Sequence, residues 1–166
     1  VMYINNDQER EHLSSYVPLE QIGSRTFSCA YVKPTDSGGI RVKTANLSWV
    51  TCNMIASTLS TSGVTNCEVI AAAPFQVSGT GALTGILMAY ESATGETLSE
   101  TKKGLATEEL VVTGELGDRI GQSDATALVN EAKMDVLSEN LQDREEIQSK
   151  VEEVAGNKGV DLSSEE

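Results

Sequence analysis

The segment from position 67 to position 85 constrains this chain more than any other. An apolar run of strand length, 67–73, breaks at Pro74 and restarts at Ser78 with a helical period rich in glycine. Such a run predicts a central strand covered on both faces or nearly so. The helix that follows carries Leu83, Ile86, Leu87 and Tyr90 as a broad apolar stripe, with Gly81, Gly85 and Ala89 recurring on a neighbouring one. Glycine inside a helix costs about 1 kcal/mol relative to alanine, so two of them require a close approach, and the sheet is the expected neighbour. Ile70, Ala72, Leu83, Ile86 and Leu87 are the expected core.

Where that strand hands over to that helix, Ser78, Gly79, Thr80 and Gly81 gather backbone N–H groups at the positive end of a helix dipole. This arrangement suits an anion or an oxyanion. Ser78 reads first as the helix N-cap. As a nucleophile it would need Gly-x-Ser-x-Gly, and position 76 is Gln. The glycines at 79, 81 and 85 miss the dinucleotide fingerprint by one residue, and no acidic residue ends a second strand downstream. Phe75 and Trp49 flank the turn in sequence. If Trp49 is exposed beside Phe75, the two make a stacking platform for a sugar or peptide; otherwise Trp49 is a partly buried anchor.

Upstream, the spacing predicts a short strand at 1–5, a polar helix or turn at 7–16, and two alternating strands at 25–33 and 40–47. The first alternating strand places Phe27, Cys29 and Tyr31 on one face; the second sets Ile40 and Val42 opposite Arg41 and Lys43. The two strands read as a hairpin with a wide loop and one wet face. A right-handed crossover is expected to place 25–33 and 67–73 in parallel. Thr51 or Asn53 caps a helix that stops at Gly63. From position 99 the pattern is helical with short breaks, with caps at Ser123 and Asp143.

The resulting fold class is α/β, with a mixed sheet of about four strands packed by helices and followed by an acidic helical C-terminal region. The expected organisation is an α/β core over 1–98, a helical region packed on it over 99–155, and a disordered tail over 156–166.

The net charge of −13 is uneven: 8 acids and 5 bases lie in 1–98, against 17 and 7 in 99–166. A surface this acidic repels phosphate backbones, so nucleic acid is excluded as a partner unless Arg10, Arg25, Lys33, Arg41 and Lys43 form a patch. No apolar run is long enough to span a bilayer. Cys29, Cys52 and Cys67 are an odd count without Cys-x-x-Cys spacing, which indicates neither a disulfide framework nor a zinc site; one bridge between two of them stays open. His12 is the lone histidine and reads as solvent-exposed, so no thiol has an evident base. No cofactor is implied, and no catalytic or metal-ligating set is assigned.

Five segments together resemble a known family. They are Tyr16-Val17-Pro18 with Gln21-Ile22-Gly23-Ser24-Arg25, Ser28-Cys29-Ala30-Tyr31-Val32, Trp49-Val50-Thr51, the block from Ala72 to Gly85 with Pro74-Phe75-Gln76-Val77-Ser78-Gly79 at its heart, and Glu108-Glu109-Leu110-Val111-Val112-Thr113-Gly114-Glu115-Leu116. Over roughly 1–138 the chain resembles the YpuA-like secreted proteins of Gram-positive bacteria, a domain of unknown function. The resemblance implies a leader peptide and a short mature segment upstream of Val1, and a location outside the membrane or in the cell envelope. It supplies no catalytic residues.

The functional expectation is therefore a secreted or cell-envelope module that binds a peptide, glycan or envelope protein without catalysis. Its candidate ligand residues are Ser78, Gly79, Thr80, Gly81, Phe75 and Trp49. The alternative is a hydrolase or transferase using the Ser78 turn, and it is weaker because catalysis needs titratable groups held together in a cleft.

Overall fold

The computed structural model describes residues 3–16, 22 and 25–163. The chain divides into two compact units, Val1–Val111 and Val112–Glu166.

In the first unit the described elements are α1 (Asn6–Leu13), β1 (Cys29–Pro34), β2 (Ile40–Leu47), α2 (Cys52–Ser62), β3 (Cys67–Val77) and α3 (Thr80–Thr94), with α4 (Glu100–Ile120) beginning there. The sheet has three strands among the described residues, in the order β1-β3-β2. Of the expected strand at 1–5, Val1 and Met2 lie outside the described residues and Tyr3 to Asn5 join no ladder. Asn5 is held instead by a capping box: its side chain accepts from Gln8 N at 2.9 Å, and Gln8 Oε1 accepts from Asn5 N at 3.0 Å. Those bonds satisfy orphan donors at the start of α1, which an extended strand would leave unpaired.

The expected hairpin is also corrected. β3 lies between β1 and β2, antiparallel to the first and parallel to the second. The crossover through α2 thus joins β2, not β1, to β3. The most apolar strand takes the centre, where it satisfies two ladders, and the two alternating strands take the edges. Near its end β2 slips register between Ala45 and Leu47. There Asn46 adopts a positive φ of 59° and its Nδ2 donates to Ala73 O at 2.8 Å.

The sheet is covered on one face only. Cys67, Val69, Ala71 and Ala73 are buried, whereas Ile70 is 48% exposed. Ile70 and Ala72 therefore fall outside the core expected of them, while Leu83, Ile86 and Leu87 of α3 lie inside it. Val50, Met54, Ile55 and Leu59 complete the cluster from the α2 side, and Leu98 and Leu110 close it. α2 is capped as expected: Thr51 Oγ1 accepts from Met54 N at 3.2 Å, and Gly63 ends it in the left-handed region.

The second unit contains the end of α4, α5 (Gln122–Ser138) and α6 (Arg144–Asn157). Its core is Leu116, Ala125, Leu128, Ala132, Val154 and Ala155. Gly121, not Ser123, is the N-cap of α5, and no side chain caps it. Asp143 caps α6, accepting from Glu145 N at 2.9 Å. Disorder is expected from position 156, yet α6 runs to Asn157 and both Val160 and Leu162 pack on the core. Lys158 Nζ also reaches Glu131 at 2.7 Å.

Candidate functional site

The turn between β3 and α3 is a tightly packed joint. Its N-cap is Gly79, with φ 94° and no side-chain cap bond, so Ser78 does not take the capping role expected of it. Ser78 instead offers its carbonyl, which accepts from Trp49 N at 3.2 Å and Val50 N at 3.0 Å. Its hydroxyl lies 3.4 Å from Thr80 Oγ1, its one hydrogen-bond neighbour among the described residues. A hydroxyl so placed has no base to take its proton. A β-carbon on Gly79 would press within 3.2 Å of Val50 Cβ and 3.3 Å of Leu47 Cβ.

On its other side the turn meets a carboxylate that sequence reasoning missed. Glu9 of α1 is only 3% exposed. A β-carbon on Gly81 would lie 2.6 Å from Glu9 Cδ. Thr26 Oγ1 donates to Glu9 Oε2 at 2.5 Å, and Asn6 Nδ2 donates to the same oxygen at 3.5 Å. The first turn of a helix favours negative charge, and here the protein supplies that charge itself. Gly81 is explained by close approach, as expected, but the neighbour is α1 and not the sheet. Nothing in the sequence couples position 9 to position 81.

The two aromatic candidates separate. Trp49 is half-buried and packs on the core cluster. Phe75 is 52% exposed, and its ring meets Phe27 edge-on, with centroids 5.0 Å apart at 61°. Phe27 in turn lines an open groove of about 800 Å³. One wall of the groove is Thr26 to Val32, seven consecutive residues. The opposite wall is α3, through the small-residue stripe of Gly81, Gly85 and Ala89, and Tyr3 and Ile4 complete the lining. None of the lining residues is charged. Among the described residues β1 pairs with β3 alone, so its outer backbone edge is free.

On the far side of Tyr31 lies the open face of the sheet. Its rows across β1, β3 and β2 read Lys33–Glu68–Arg41, Tyr31–Ile70–Lys43 and Cys29–Ala72–Ala45. Three of the five bases noted in 1–98 therefore do converge. Glu68 holds two of them, Arg41 at 2.7 Å and Lys33 at 3.6 Å.

Two buried polar clusters lie in this unit. Lys103 is buried, and its Nζ reaches Glu100 at 2.6 Å and Glu91 at 3.3 Å. Burial pulls its pKa down, but those two carboxylates outweigh it and hold the ammonium above its ordinary value. Glu109 accepts hydrogen bonds from the hydroxyls of Ser57 and Thr61. The three cysteines are free: Cys29 is exposed, Cys52 half-buried and Cys67 buried, where burial pushes the thiol pKa up. The side chain of His12 lies outside the described residues. Among the described residues no three His, Cys, Asp or Glu side chains gather into a metal-ligating group. No described helix is long and apolar enough to cross a membrane.

Together these features define an α/β unit with a one-sided sheet and a strand edge that no described strand pairs, followed by a helical unit. The chain belongs to the DUF1002 family of proteins of unknown function, whose model matches residues 1–166. It is similar to an uncharacterised Bacillus subtilis (strain 168) protein, YpuA, with 39% identity over 162 residues, covering 96% of this chain and 56% of that protein. The chain thus spans about half the length of the curated relative it matches. No solved structure matches it.

Proposed function

We propose that this chain is a non-catalytic binding module of a secreted or cell-envelope protein, and that it takes an extended peptide segment of a protein partner against β1. One observation carries the reading: the outer edge of β1, unpaired among the described residues, opens on an uncharged groove with a wall of small residues. A peptide brings its own backbone to pair with such an edge, and its alternate side chains fill the space that Gly85 and Ala89 leave. A sugar has no backbone ladder to offer. The envelope location rests on kinship with the YpuA-like proteins, and fractionation of the host cell tests it: recovery from the cytosol alone rejects it.

The binding mode is tested by amide hydrogen exchange on the whole chain, with peptides selected from a random library. Amides of β1 that point away from β3 are expected to exchange more slowly in the complex. Protection confined to other elements would overturn the reading.

A further inference from the structure

We propose that the partner segment carries a carboxylate next to an apolar side chain, and that Lys43 together with the depression between Tyr31 and Ile70 reads this pair. The inference rests on the peptide reading of the β1 groove and names the chemistry of the occupant.

The open sheet face holds a depression of about 310 Å³ lined by Tyr31, Arg41, Val42, Lys43, Glu68, Val69 and Ile70. Tyr31 lines both this depression and the groove, so the two form one surface around β1. Within it Tyr31 and Ile70 stay 58% and 48% exposed, which is apolar area that no described residue covers. Lys33 and Arg41 are already committed to Glu68, whereas Lys43 is exposed and makes no ion pair among the described residues.

In a chain of net charge −13, three cations around one carboxylate make a locally positive face. Its complement is acidic. Glu68 stands in the middle of that face and repels a polymer with a charge on every unit. A single uncommitted cation beside an apolar depression matches one carboxylate beside one apolar side chain, which a polypeptide supplies. The reach is short. From a peptide paired on the outer edge of β1 to β2 is three strand spacings, about 14 Å, or roughly four residues of extended chain.

The test selects random linear peptides, displayed on phage, against the whole chain. Enriched peptides are then titrated against wild type, Lys43→Glu and Ala89→Trp, the last placed to fill the groove. Melting curves confirm folding, and Ser92→Trp at the groove rim replaces Ala89→Trp if that variant unfolds. The expected result is an Asp or Glu at a fixed offset from alternating apolar residues, bound about fivefold more weakly by Lys43→Glu. Exchanging that peptide acid for Lys should restore binding to the variant, and filling the groove should abolish binding throughout.

Peptides without the acid, or unaffected by Lys43→Glu, but lost on filling the groove, would overturn the inference and leave the groove reading standing. Peptides indifferent to the filled groove would overturn both. Polyphosphate bound through Lys43, with no peptide enriched, would overturn the inference in favour of a polyanion.

Discussion

Replacing Gly81 with alanine should destabilise the protein, against the usual rule for a glycine inside a helix. On an open helix face the change is worth about 1 kcal/mol in favour of alanine. Here the new methyl would fall 2.6 Å from Glu9 Cδ, a separation at which the carboxylate must move. Glu9 is 3% exposed and bonded to Thr26, so moving it breaks a hydrogen bond to a charged group, worth about 1.5 to 3 kcal/mol. The balance is a net loss of about 0.5 to 2 kcal/mol, read as a fall in the urea midpoint at constant slope. In a Glu9→Ala background the obstacle is gone, and the same Gly81→Ala change should become neutral or stabilising. A Gly81→Ala variant more stable than wild type would refute the reasoning. So would identical effects in both backgrounds, since contacting residues must couple.

The inward and outward positions of β3 should differ sharply: Val69→Ala is expected to cost about 2 kcal/mol and Ile70→Thr less than about 0.5, and similar losses in urea would contradict the one-sided sheet. A fragment ending at Gly95 lacks Leu98 and Leu110, both in the main core cluster, so it should melt without cooperativity; a sharp calorimetric transition would show that the core closes without α4. Stability should also fall in alkali through Cys67. Burial raises its folded pKa, so the unfolded thiol ionises first, and stability is intact below about pH 8.5 and lost as pH rises through the raised value. In Cys67→Ala the drop in urea midpoint between neutral pH and about pH 9.5 should shrink, and an unchanged drop would assign it elsewhere. By the same linkage, Lys103→Met should soften the loss seen above about pH 10.4, where the unfolded lysine gives up its proton while the paired ammonium of the folded state still holds it.

What the sequence disclosed follows from where its signals are local. Alternation over 40–47 reproduces β2 at both ends, and Thr51, Gly63 and Asp143 mark helix ends where caps and a left-handed glycine belong. The face of β3 was harder, because a nearly continuous apolar run carries no period. One clue was present: Glu68 shares its parity with Ile70 and Ala72, and a charge at that position marks the wet side. Strand order depends on which strand two others compete for, a tertiary choice that spacing does not encode. The turn at 78–81 shows the same limit. Its place between strand and helix was legible, but the cap falls on Gly79 and not Ser78, and its filling by Glu9 comes from a helix some seventy positions away. The groove arises from the approach of two such distant segments, so only its small-residue wall could be read in advance.

The free edge of β1 also bears on how copies of this chain meet one another. An unpaired row of backbone donors and acceptors is a template for any strand, including another β1, and edge-to-edge pairing is the route by which soluble sheet proteins aggregate. β1 is six residues long and ends in Lys33 and Pro34; the lysine resists burial, and the proline offers no N–H for a neighbour to pair with. That ending shortens the stretch another strand could zip along while leaving the part beside the groove open. Pro34→Val would lengthen the template, and the cost would be paid in solubility rather than in folding.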